Sequence, residues 1–210
     1  MGTTTDKLQN IINSKNAISA AIEAKGGTVP TELSGYGPAI ESLPNIAMEI
    51  VNRSATKITA ADLSGATYFG NYAIQNCYQL TSFTFPDTVL STGNYVFQGC
   101  SSLPSIVIPN NVKNLGNNFF DGCTSLTSIT LGSSLSSIGL QAFNKCSNLP
   151  DITIPNSVTT IYRQAFYNCY SLTAVTFSGK TKAEVQAMVN YPWNIIGSAV
   201  IHCSDGDITR

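Results

Sequence analysis

Apolar residues recur in fixed columns along residues 67–178. With Cys77, Cys100, Cys123, Cys146 and Cys169 as origins, spaced 23 residues apart each time without insertion or deletion, the third residue before reads Ile74, Phe97, Phe120, Phe143 and Phe166. The third residue after reads Leu80, Leu103, Leu126, Leu149 and Leu172. Six and eight residues after each cysteine stand Phe83 and Phe85, Ile106 and Ile108, Ile129 and Leu131, Ile152 and Ile154, and Val175 and Phe177. That is the period-two alternation of a short strand with one buried face, which predicts one strand per repeat. Pro86, Pro109, Gly132, Pro155 and Ser178 follow directly, residue types that end ladder pairing or turn the chain. Two more apolar columns are Val89, Val112, Leu135, Val158 and Phe69, Leu115, Ile138, Ile161, the latter broken only by Thr92. The stretch leading from there into the next cysteine has room for about one helical turn or a 3₁₀ piece.

A constant period of this length signals a stacked array of coils. One coil buries too few side chains to offset the entropy of ordering its backbone, so neighbouring coils must cover one another. Their strands then align as a parallel sheet, about 4.8 Å apart, and the two ends need covers.

Residues 46–66 lack the cysteine and read as an irregular first coil, with Met48, Ile50, Ile58 and Leu63 facing the array. Residues 179–210 leave the frame at the other end. There Thr181-Lys182-Ala183-Glu184 is a capping box that starts a helix. Trp193, Ile195, Ile196 and the strand "AVIHC" are expected to seal the last coil. In residues 1–45, Leu8, Ile11, Ile12, Ile18 and Ile22 stand at helical spacing and Gly26-Gly27 supplies a stop. A lone amphipathic helix of that size is marginal in water, so its stripe should be buried against the array, against copies of itself, or against a larger assembly.

Composition narrows the chemistry. Only 11% of residues are charged, against about 25% in ordinary globular chains, and 11 basic side chains balance 12 acidic ones. No basic stripe for nucleic acid appears. The first residues, "MGTTTDKLQN", carry no leader pattern and no run approaches 18 apolar residues, so neither leader-directed export nor membrane insertion is expected. One histidine, scattered carboxylates and no Gly-rich phosphate loop give no catalytic constellation, so no enzyme activity, catalytic residue or cofactor is expected.

Equivalent cysteines in successive coils point the same way, and five cannot all pair, which reads as packed thiols rather than disulfides. The cluster His202, Cys203, Asp205 and Asp207 in "IHCSDGD" is accounted for by a terminal strand and turn without a metal.

The stretch "IGLQAFNKCSNLPDITIPNSVTTIYRQAFYNCYSLTAVTF" resembles the BspA-like, or Treponema-type, leucine-rich repeat, built on the frame IxxxAFxxCxxLxxIxIPxxVxx. The likeness covers five repeats over 67–178, with Gly132 in place of a proline and Thr92 in an apolar column as departures. It implies an α/β repeat solenoid with a parallel sheet, flanked by a short N-terminal helical segment and a C-terminal helix–strand cap. Such repeats serve as adhesive or display scaffolds.

The segment "LQNIINSKNAISAAIEAKGGTVPTELSGYGPAIESLP" resembles a module at the start of tailed-phage and prophage fibre or head-decoration proteins, and "VIHCSDGDI" resembles the close of phage-borne repeats. Together these likenesses imply a virion protein attached to capsid or tail, or trimerised, through its N-terminal segment, and binding a host surface protein or glycan. A bacterial cell-surface adhesin is the alternative, and an intracellular interaction scaffold a third. The outward positions of the strands, Ser82, Thr84, Ser105, Val107, Ser128, Thr130, Asp151, Thr153, Ala174 and Thr176, form the candidate ligand face. Tyr72, Tyr78, Tyr95, Tyr162 and Tyr170 are candidate flanking stackers.

Overall fold

The computed structural model describes residues 55–63, 65–193, 195 and 199–209. Leu8, Ile11, Ile12, Ile18 and Ile22, with Met48, Ile50 and Ile196, lie outside the described residues. Over the described residues from 55 onward the chain winds as a stack of three-sided coils, tied to one another by hydrogen bonds that run along the stack with interruptions on two of the sides.

The first side carries β1 (Lys57–Ile58), β3 (Ser82–Phe83), β5 (Ser105–Val107), β7 (Ser128–Thr130), β9 (Asp151–Ile154), β11 (Ala174–Phe177) and β12 (Val200–Cys203). Wherever these strands pair they do so in parallel. In the regular coils the register advances by one repeat, as in Ile106 opposite Ile129 and Val175 opposite Ile152. The end coils are longer: Lys57 pairs with Ser82 and Ala174 with Val200. A closing strand, β13 (Gly206–Ile208), runs antiparallel to β12.

The sequence pattern predicted one strand per repeat, and the structure has two. The second side is a row of two-residue strands, β2 (Tyr68–Phe69), β4 (Ser91–Thr92), β6 (Asn114–Leu115), β8 (Ser137–Ile138) and β10 (Thr160–Ile161), paired in parallel as β2 with β4 and as β6 with β8 with β10. Each coil places one residue of the broken apolar column on this row. At the break, Thr92 satisfies itself by donating its hydroxyl to the Asn114 carbonyl at 3.0 Å.

The third side is where the sequence allowed a helical or 3₁₀ turn, and none forms among the described coils. Two residues per coil stand in the left-handed region: Tyr72 and Asn76, Tyr95 and Gly99, Asn118 and Gly122, Gln141 and Lys145, Gln164 and Asn168. A left-handed residue at each end of this five-residue stretch turns alternate N–H groups out along the stack, which no helix permits. Thus Tyr95, Phe97 and Gly99 donate their N–H groups to the carbonyls of Asn117, Phe119 and Asp121 in the next coil at 2.7 to 2.9 Å. The intervening Gln98 N–H closes a local turn to the Tyr95 carbonyl at 3.3 Å, and the Cys100 N–H that follows closes another to Phe97 at 3.1 Å. Described residues hold one α-helix, α1 (Lys182–Gln186), so the repeat region is sheet and turn.

Inside the coils the columns meet. Phe97, Phe120, Phe143 and Phe166 stack ring on ring at 5.5 to 5.6 Å, and all four are fully buried. The column cysteines are buried and free. Four of them donate Sγ–H to a carbonyl of the preceding coil: Cys100 to Ile74 at 3.1 Å, Cys123 to Phe97 at 3.1 Å, Cys146 to Phe120 at 3.3 Å and Cys169 to Phe143 at 3.0 Å. Each of these four thiols is therefore a donor between coils as well as a small apolar filler.

Burial pushes the thiol of Cys169 up to about 12 and those of Cys100, Cys123 and Cys146 well above the ordinary range.

At the C-terminal end the Thr181 and Glu184 capping box forms: the Glu184 N–H donates to Thr181 Oγ1 at 3.3 Å and the Thr181 N–H to Glu184 Oε2 at 2.8 Å. Trp193 packs against Phe177 with ring centroids 5.7 Å apart and is fully buried, as is Val185 of α1. At the other end Ile58 and Leu63 are fully buried. No described helix is long and apolar enough to cross a membrane.

Candidate functional site

The ten outward residues of the first side are all exposed or half-exposed and fall into two columns. Ser105 stands opposite Ser128, Val107 opposite Thr130, Asp151 opposite Ala174, and Thr153 opposite Thr176. Asp151 is the one charged member. Val107 is 62% exposed, so the surface mixes hydroxyls with a bare apolar side chain. Alternation on rigid strands holds these groups in place, because their inward neighbours are locked in the core.

The columns are not continuous as a sheet: β3 does not pair with β5, nor β7 with β9. The cause lies four residues after each cysteine, where the chain reads Thr81, Pro104, Thr127, Pro150, Thr173. Each threonine there donates its N–H to the preceding coil at 2.8 Å, Thr81 to Thr56, Thr127 to Pro104 and Thr173 to Pro150. Their hydroxyls donate to the same carbonyls at 2.9, 3.1 and 3.0 Å. Pro104 and Pro150 have no N–H to give, so the ladder parts at alternate steps. The alternation of threonine and proline in this column is a signal legible in the sequence that the apolar pattern alone does not carry.

The two partings differ. At β3 and β5 the strands are followed by Pro86 and Pro109, whereas β7 is followed by Gly132. A Cβ at Gly132 would collide with the Pro109 carbonyl of the coil below, so the backbone sits too low there for any side chain. Ile129 is in consequence half-buried, while its equivalents Phe83, Ile106, Ile152 and Val175 are at most 6% exposed. The result is an open groove of about 520 Å³ between β7 and β9, floored by Ile129, Leu131 and Pro155. Thr130 and Thr153 of the outward columns form part of its wall.

The tyrosines divide. Tyr72 and Tyr95 stack on each other, 4.7 Å apart, on the third side and do not flank the strand face. Tyr162 stands at the corner between the second and third sides. Tyr78 and Tyr170, 53% and 71% exposed, follow their cysteines at the corner that leads into the first side.

The model of the BspA-type leucine-rich repeat region matches residues 67–190 as six copies, more than half of the chain. The chain belongs to this family. Among solved structures, this BspA-type repeat chain is similar to a leucine-rich repeat protein of T. pallidum, at 29% identity and a TM-score of 0.55, over 58% of each chain. It is also similar to a leucine-rich repeat protein of Eubacterium ventriosum, at 19% identity and a TM-score of 0.52, over 70% of this chain and 41% of that one. A leucine-rich cell surface protein of Faecalibacterium prausnitzii matches at 25% identity and a TM-score of 0.45, over 71% and 43%. The chain spans less than two thirds of the length of each. Comparison with curated proteins finds no match.

Polar ladders missed by sequence reading reinforce the BspA-type coils. Asn71, Asn94 and Asn117 each accept, through Oδ1, the backbone N–H of the residue one repeat on, at 2.7 to 2.9 Å. A constant asparagine six residues before three successive cysteines was the available signal.

The C-terminal cluster resolves into the hairpin of β12 and β13. His202 Nδ1 lies 2.7 Å from Asp207 Oδ1, and Asp205 accepts the Lys182 N–H at 2.7 Å, tying the hairpin to α1. Cys203 is half-buried, and partial burial followed by the Asp205 charge raises its thiol. Among the described residues no group of three or more His, Cys, Asp or Glu is placed to hold a metal.

Proposed function

We propose that the protein is a non-enzymatic surface-recognition module whose first-side strand face binds its partner without covalent chemistry. The observation that carries this reading is the pair of in-register columns, nearly uncharged and rich in short hydroxyls, held on strands whose inward side chains are locked. Such a surface offers many donors and acceptors at fixed spacing and little electrostatic steering.

The N-terminal likeness to tailed-phage modules favours display on a virion as a fibre or head-decoration subunit. Leu8, Ile11, Ile12, Ile18 and Ile22 are then the stripe that docks on capsid or tail, or closes a homotrimer. Display on a bacterial cell surface is the second reading, favoured by the BspA-type repeats themselves.

The test is adsorption of the full chain to host cells, with Thr130→Arg/Thr153→Arg as the altered face. The two substitutions point outward and leave the core untouched, so the array stays folded while adsorption falls. Undiminished adsorption by a folded double variant rejects this face.

A further inference from the structure

Three local features coincide at the groove between β7 and β9: Pro150 withholds the ladder N–H, Gly132 removes the side chain that proline supplies at three of the other coils, and Ile129 is left half-bare. We infer that this groove is a subsite for a neutral saccharide, a proposal that rests on the recognition role of the strand face and names what one part of it binds.

The volume of about 520 Å³ lies within the range of about 300–1,000 Å³ typical of small-molecule sites. None of its lining residues is charged. An anionic ligand therefore finds no counter-charge there, and a neutral one loses nothing by its neutrality.

The wall is rich in groups that both donate and accept, as sugar hydroxyls do. Thr130, Ser133, Thr153 and Ser178 line the groove, and their hydroxyls take no protein partner among the described residues. Hydroxyls one column away are by contrast committed, as in Thr127 to Pro104 and Thr173 to Pro150. Asn156 adds a carboxamide, with two donors and an acceptor on one short side chain.

The floor of Ile129, Leu131 and Pro155 is apolar and open to solvent on one side. This matches the two characters of a pyranose, whose C–H face packs on aliphatic groups while its rim of hydroxyls reaches the walls. A peptide adding to the parted ladder would need alternating N–H and C=O groups along the edge, and Pro150 supplies no N–H there.

The test is a glycan array probed with the full chain, followed by calorimetric titration of a neutral oligosaccharide that binds. Thr153→Val and Asn156→Leu each remove hydrogen-bonding capacity from exposed positions without enlarging the side chain greatly. Each is expected to weaken binding roughly five- to tenfold, the loss of one or two ordinary hydrogen bonds. Ser91→Arg, on the second side, is expected to leave it unchanged.

Retention of only sulfated or sialylated glycans, affinity indifferent to Thr153→Val and Asn156→Leu, or binding of a peptide but no saccharide would each overturn the proposal. Those failures are separable from failure of the recognition role, which is read from adsorption of Ser105→Arg/Thr176→Arg, a pair on the same strand face that does not line the groove.

Discussion

Replacing Pro150 by threonine should close the ladder between β7 and β9. At the equivalent steps Thr81, Thr127 and Thr173 each give one backbone and one hydroxyl hydrogen bond to the coil before. Pro150→Thr supplies both to the Thr127 carbonyl, and position 150 is exposed, so no core packing is disturbed. A net hydrogen bond contributes about 0.5–1.5 kcal/mol, the exposed hydroxyl bond falling at the low end. Giving up proline frees the unfolded chain by about 0.4–1 kcal/mol. The balance is a gain on the order of 1 kcal/mol, which in a chain of this length raises Tm by about 2–4 °C.

Thermal unfolding followed by circular dichroism measures the shift, and hydrogen exchange reads the new amide at position 150, which should be protected. A fall in Tm of more than about 2 °C, or an amide that exchanges freely, refutes the reasoning. Closing the step should also narrow the groove and weaken any saccharide it holds.

Phe143→Ala empties a fully buried site between two stacked rings and should cost about 3–5 kcal/mol, seen as a lower urea midpoint with exchange accelerated most in the coils around residues 120–166. A loss under about 1 kcal/mol contradicts the stack. The buried thiols make stability fall in alkali: the folded chain keeps its protons while the unfolded chain releases them, so their contribution is whole below about pH 8.5 and declines as pH rises towards 12. Cys123→Ala should lessen the decline of urea stability above pH 9 by about 1.4 kcal/mol per pH unit, and an unchanged slope would show that this thiol is not sealed. At pH 8 a thiol reagent should label Cys203, half-buried at the C-terminal hairpin, far faster than Cys100, Cys123, Cys146 or Cys169.

The repeat core was legible because spacing and apolarity coincide: the cysteine, phenylalanine and leucine columns could be read straight from residues 67–178, and their side chains are buried as the pattern required. The third side was misjudged because left-handed backbone at Tyr72, Tyr95, Gln141 and Gln164 has no residue-type signature. Asn76, Gly99, Gly122 and Asn168 did carry one, since Asn and Gly favour that region. The second ladder escaped notice since two residues are too few to show alternation. The outward strand residues were predictable from period two, whereas the groove was not, because it needs Pro150 and Gly132 read from adjoining coils at once. The longer end coils, without a cysteine to anchor the count, hid the pairing of Lys57 with Ser82 and Ala174 with Val200.

Hydrogen exchange of the full chain, alone and mixed with a bacterial envelope fraction, tests most directly whether the first-side strand face is the contact surface of the proposed recognition role. Slowed exchange concentrated at residues 128–133 and 151–157 is the predicted result. Protection confined to the second-side strands or to the turns of the third side, with 128–133 and 151–157 unchanged, would contradict it.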